Sequence, residues 1–114
     1  MHTYKLIWHD EIVDKDTRDT EYNDIVVPMT KHLRKKDEKY KIDCITFGPI
    51  PDFNIFDRVT LTAFNENKTI VLSNSFDVFE DDRIEIFHPF KSSKLSLERC
   101  TLKNKMIECQ VYFT

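Results

Sequence analysis

The chain has 114 residues, the size of one small domain with a single hydrophobic core. Its 17 basic and 20 acidic side chains leave a net charge of −3, which excludes a uniformly basic DNA-coating protein but allows a local basic patch. No apolar run reaches the ~20 residues of a membrane helix and no signal-peptide core is present, so we expect an intracellular protein with no membrane partner.

The first 38 residues are predicted to form an N-terminal extension of the single domain that spans 1–114. A short strand with alternating apolar side chains is predicted at 4–8. Residues 10–24 hold seven acidic against two basic side chains, a composition typical of a solvated loop or a weak helix. Pro28 stands where the first turn of a helix favours proline, so a short helix is predicted at 29–36.

From residue 39 onward the apolar side chains recur with a period of two, which predicts strands. The predicted strands are 40–45, 58–64, 68–72, 76–79, 83–87, 95–98 and 106–113, with the last two joined near 103–104. Short strands at regular spacing predict an all-β fold with one short helix. We expect residues 39–114 to form a small antiparallel β-barrel, with a β-sandwich as the alternative.

Gly48 is the only glycine in the chain, and two interpretations of it are open. It predicts either a sharp bend that lets a long first strand curl into a barrel, or an ordinary turn together with Pro49 and Pro51. The segment 49–57 that follows is too apolar for a purely solvated loop. We therefore expect it to cover the barrel or to dock on a partner.

The sequence lacks the motifs that carry catalysis, metal binding or phosphate binding. The four histidines are isolated, no close cysteine pair occurs, and a single glycine excludes glycine-rich phosphate loops. Cys44, Cys100 and Cys109 lie in apolar strand-like runs and are interpreted as reduced core thiols. We therefore expect a non-enzymatic protein without cofactor, metal or small-molecule substrate, and a small enzyme built on Cys44 or His88 is the minor alternative.

Positive charge is concentrated in two places, with six basic side chains in 31–41 and five in 91–105. Cations along a groove, combined with exposed aromatic rings, are the chemistry of single-stranded nucleic-acid binding. The predicted phosphate contacts are Lys39, Lys41, Arg58, Lys68 and Lys91, and the predicted stacking rings are Phe53, Phe56 and Phe64.

Four stretches between residues 41 and 90 read ITFG, DRVTLTA, TIVL and RIEIFHPF. They resemble the small OB-fold subunits of the single-strand-binding complexes replication protein A and CST, which implies that the predicted barrel is OB-like. The resemblance implies an accessory subunit of a telomere or replication complex, with larger subunits as partners, single-stranded DNA or RNA as a candidate ligand, and a nuclear location. Two departures are the 38 residues before the first matching strand and the lack of a helix after the last predicted strand.

The second function that the sequence leaves open is a β-sandwich protein-protein interaction module, such as a viral or host-modulating adaptor, with no nucleic acid involved. Strand order separates the two hypotheses. A barrel closed from five strands favours the accessory OB-fold subunit, whereas two sheets packed on each other favour the interaction module.

Overall fold

A computed structural model describes residues 2–53, 57–78, 84–87 and 95–113 of the chain. All regular structure in these ranges is β, which confirms the all-β prediction. The strands are β1 (Thr3–Val13), β2 (Thr20–Val27), β3 (Met29–Lys36), β4 (Lys41–Phe47), β5 (Arg58–Phe64), β6 (Ile70–Val78), β7 (Ile84–Phe87), β8 (Leu95–Lys103) and β9 (Met106–Phe113). A search of the described ranges finds no helix with the length and apolarity that crossing a membrane requires.

The strands form two antiparallel sheets that share one core. The first sheet has the order β2-β1-β5-β6-β7 and the second has the order β3-β4-β9-β8. Trp8 and Leu61 of the first sheet and Phe47 and Ile107 of the second are almost completely buried in the same cluster. Among the described strands neither sheet closes on itself. Residues 1–38 supply β1, β2 and β3, and β1 lies between β2 and β5 inside the first sheet.

Several predicted strands are confirmed with adjusted ends. β5 covers the predicted range 58–64, and β9 covers 106–113. Residues 70–72 and 76–78, from the strands predicted at 68–72 and 76–79, belong to one strand, β6. The turn predicted near 103–104 is present, because Lys103 pairs with Met106 across β8 and β9.

The acidic stretch 10–24 forms most of a β-hairpin rather than a solvated loop or a weak helix. β1 and β2 pair without interruption from Leu6 opposite Val27 to Val13 opposite Thr20. Asp14 organises the turn, because its carbonyl accepts a hydrogen bond from the Arg18 N–H at 2.8 Å. The backbone ladder holds this ribbon while its acidic side chains stay in water, and charge patterning alone does not reveal such pairing.

β3 forms where the sequence predicted a short helix, so that prediction is wrong. Met29 and Leu33, which would have formed the apolar stripe of the helix, are 46% and 45% exposed. A helix at this place would have had no core to cover that stripe. The strand instead pairs with β4 along its length and turns His32 inward beside Asp43.

Gly48 lies directly after β4, at the end of a strand rather than at a bend within one. Its φ angle of 153° lies in a region that favours glycine, and a Cβ here would be 2.9 Å from the Lys105 carbonyl oxygen and 2.5 Å from Met106 Sδ. The same carbonyl accepts a hydrogen bond from Ile50 N at 2.9 Å. Glycine thus allows the chain leaving β4 to pass close to the start of β9.

Candidate functional site

Asp43 on β4 is a fully buried carboxylate that joins the two sheets. Tyr4 Oη on β1 donates a hydrogen bond to Asp43 Oδ2 at 2.5 Å. From β3, Arg34 donates through Nε and Nη2 at 2.9 and 3.1 Å, and His32 Nε2 lies 3.1 Å from Oδ1. Arg34 also lies over the Phe113 ring, 4.9 Å from its centroid. One carboxylate therefore holds β1, β3 and β4 together.

The contacts in this cluster shift two pKa values. Burial alone would raise the pKa of Asp43, but the hydrogen bonds from Arg34 and Tyr4, together with the close contact of His32, outweigh it and hold that pKa below its ordinary value. Burial, followed by the hydrogen bond to Asp43, raises the pKa of Tyr4 far above its ordinary value. Asp43 is therefore a charged anchor for its donors, not a proton donor at neutral pH.

The anchor fixes the orientation of β3, which pairs only with β4 among the described strands and so forms an edge of the second sheet. His32 and Arg34 point inward, opposite Ile45 and Asp43. Lys31, Leu33 and Lys35 point to the outer face of the sheet, and no acidic residue occurs within β3. We call the outward side of β3, defined by these three residues, the basic edge.

The structure divides the predicted nucleic-acid contacts between two ends of the molecule. Lys41 begins β4, exposed Lys39 lies just before it, Phe64 ends β5, and Lys68 follows in the β5–β6 turn with a positive φ of 62°. Arg58 begins β5 at the opposite end, about 20 Å away for a strand of this length. Arg58 also pairs with Asp77, with 3.6 Å between Arg58 Nε and Asp77 Oδ1.

Two structural links show that four of these residues lie at one end of the molecule: Lys39, Lys41, Phe64 and Lys68. Thr3, at the start of β1, is paired with Phe64, and the next residue, Tyr4, reaches Asp43, two positions from Lys41. Lys41 and Phe64 therefore lie at the same end of the two sheets. Tyr40 is 41% exposed at this end and its ring centroid lies 6.0 Å from that of Tyr112. The sequence did not single out this aromatic pair.

The remaining predicted contacts do not form a stacking surface among the described residues. Phe53 is partly buried against the core, with its ring centroid 5.6 Å from that of Trp8. Phe56 and Lys91 lie outside the described residues. Asp57 is buried and accepts hydrogen bonds from Trp8 Nε1 and Glu11 N, both at 3.0 Å. The described part of the segment 49–57 therefore covers the core and is anchored to β1.

A second polar cluster, which the sequence did not predict, lies on the outer face of the first sheet. His9 Nδ1 lies 2.7 Å from Asp24 Oδ1, and His9 Nε2 lies 2.7 Å from Thr60 Oγ1. Thr60 Oγ1 lies 3.1 Å from Ser75 Oγ. The cluster borders a hollow of about 370 Å³ that Tyr22 and Arg58 also line. Its four members come from β2, β1, β5 and β6, so only the strand register reveals it.

Metal binding finds no support within the described ranges, where no group of three or more His, Cys, Asp or Glu side chains is arranged to hold an ion. Comparison with protein-family models, with curated proteins and with solved structures finds no match for the chain. The likeness to small OB-fold subunits therefore stays a prediction.

Proposed function

We propose that the chain is a β-sandwich protein-protein interaction module that binds an acidic, extended segment of a partner along the basic edge. One observation carries this proposal: β3 is an edge strand whose outward residues are two lysines flanking an exposed leucine. The two-sheet arrangement around a common core supports the sandwich rather than the barrel.

The mode of binding would be strand addition. An edge strand offers backbone N–H and C=O groups on its free side, and a partner strand satisfies them while alternate side chains supply specificity. The partner residues that face Lys31 and Lys35 would be acidic, and the residue that faces Leu33 would be apolar. Lysines on an edge oppose pairing with another basic edge, so the charge pattern selects acidic partners.

The Asp43 cluster supports this role through preorganisation. Arg34 and His32 hold the inner side of β3 against Asp43. The strand is therefore ordered before a partner arrives. Binding then loses less conformational entropy than it would on a mobile strand.

The test uses a fluorescein-labelled peptide whose pattern, Glu-Thr-Leu-Thr-Glu, places acidic groups opposite Lys31 and Lys35. We expect saturable binding in fluorescence anisotropy, weakened about tenfold or more in the K31E/K35E variant. The matched control K5E/K15E makes the same charge change on the first sheet and its hairpin, and it should bind normally. Equal losses in both variants, or equal binding of a peptide with the same composition in scrambled order, would contradict the proposal.

The second candidate function is the accessory OB-like subunit of a single-stranded nucleic-acid complex. It is favoured by the joint placement of Lys39, Lys41 and Lys68 with the exposed Tyr40 ring at one end of the molecule. Stacking on such a ring contributes roughly 1–3 kcal/mol per base. A labelled oligo-dT should then bind with an affinity that falls steeply with salt, and K39E/K41E should weaken it. A response that is flat with salt would remove this candidate.

A further inference from the structure

Cys100 and Cys109 face each other across the hairpin formed by β8 and β9. The register places them directly opposite, and their sulfur atoms are 2.9 Å apart. Directly opposed residues of antiparallel strands have Cβ atoms about 4.5–5.5 Å apart, close to the separation that a disulfide spans. Both cysteines are free thiols in the structure.

The third cysteine, Cys44, is excluded from this pair by strand parity. On β4, Ile45 is the residue opposite Cys109, whereas Cys44 lies opposite Gln110. Successive side chains of a strand point to opposite faces, so Cys44 and Cys109 lie on different faces of the second sheet. Cys44 therefore serves as an internal control.

We propose that Cys100 and Cys109 are an oxidation site that closes an intramolecular disulfide when the protein meets a peroxide. The bond would join β8, which pairs only with β9 among the described strands, covalently to β9. Because the two strands are already paired at this position, the bond needs no change in register. The proposal is independent of the basic edge and of any partner.

The two sulfurs would have different roles. Cys100 is partly exposed on β8, so its thiolate can reach the peroxide. Cys109 is fully buried, and its contact with Cys100 and its burial raise its pKa, so it does not react first.

Cys100 attacks one peroxide oxygen and becomes a sulfenic acid, releasing water. The Cys109 sulfur then attacks that sulfur, the S–S bond forms, and the sulfenic oxygen leaves as a second water with the Cys109 proton. Two thiols lose two electrons and the peroxide gains them.

The experiment treats the full chain with hydrogen peroxide, removes the oxidant, and alkylates the denatured protein with iodoacetamide without a reductant. We expect one alkylated cysteine instead of three. Trypsin cleaves between the paired cysteines, so mass spectrometry should find peptide 100–103 linked to peptide 106–114, and reductant should separate them. Alkylated Cys44 should appear in peptide 42–58.

Two variants complete the test. C44S should form the same linked peptides, and C100S should form none and leave Cys109 available for alkylation. Three alkylated cysteines after oxidation of the wild type would overturn the proposal. A disulfide that contains Cys44, or one that links two chains, would overturn it equally.

Discussion

Tyr4 on β1 donates a hydrogen bond at 2.5 Å to the buried carboxylate of Asp43 on β4, and this bond connects the two sheets through a charge. Arg34, on the edge strand β3, neutralises that charge and donates two hydrogen bonds to the carboxylate. A buried carboxylate is costly without such partners, since water no longer solvates it. The basic edge and the core therefore depend on the same residue.

The first prediction concerns loss of this charge. Asp43→Asn should lower the free energy of unfolding by about 1.5–3 kcal/mol, because Arg34 and Tyr4 lose the charged acceptor of their hydrogen bonds. Urea unfolding followed by tryptophan fluorescence measures the change, with Trp8 in the core as the probe. Asp52→Asn is the matched control, since Asp52 is 96% exposed beside Lys105, and it should leave stability unchanged. Similar losses in the two variants would contradict the role given to Asp43.

The second prediction concerns pH. The pKa of Asp43 is depressed in the folded state, so the unfolded chain takes up a proton at higher pH than the folded chain does. The stability that Asp43 contributes should be complete above its unfolded pKa of about 4 and should be lost as pH falls through the folded pKa. Urea midpoints from neutral pH to about pH 2 should therefore fall more steeply for the wild type than for Asp43→Asn. Parallel curves would contradict the prediction.

The third prediction concerns Gly48. Gly48→Ala should destabilise the fold by roughly 1–3 kcal/mol, since the new Cβ would meet both Met106 Sδ and the Lys105 carbonyl. Met106→Ala in the same chain should recover only part of the loss, because the backbone oxygen stays in place. Thermal unfolding of the two single variants and the double variant measures the coupling. Full recovery in the double variant would show that the carbonyl contact is unimportant.

The fourth prediction concerns the His9 tautomer. A carboxylate accepts hydrogen bonds and does not donate them, so Asp24 requires the proton of neutral His9 to be on Nδ1. Nε2 then accepts from the Thr60 hydroxyl. Nitrogen-15 NMR of the neutral ring should show a protonated Nδ1, and Asp24→Ala should shift the population toward Nε2. A predominantly Nε2-protonated ring in the wild type would contradict the hydrogen-bond assignment.

The sequence predicted those strands whose apolar side chains alternate without interruption. β5 is such a strand, with Val59, Leu61 and Ala63 buried on one side, and its range was predicted correctly. β3 was not predicted, because an edge strand that buries almost none of its side chains has no periodic pattern of apolar residues. Strand periodicity therefore located the interior strands but not the strand that carries the proposed function.

The Asp43 site was hidden for a different reason. In β4 both Ile42 and Cys44 are apolar, so the alternation suggests that they face the core and that Asp43 faces solvent. The structure places Asp43, Ile45 and Phe47 inward instead. A charge turned toward the core is recognisable only once its partners are known, and Tyr4 is 39 residues away in sequence. A contact between residues so far apart in the chain produces no local sequence pattern.

The sharp reversal of charge across Pro28 has a consequence for the binding mode that we propose. The segment 10–24 before it has a net charge of −5, from seven acidic and two basic side chains, and β3 after it has four basic side chains and no acidic one. The overall charge of −3 hides this separation, which gives the surface an uneven potential. An approaching polyanion is therefore repelled from the hairpin and drawn toward β3, so the field orients the encounter before any contact forms.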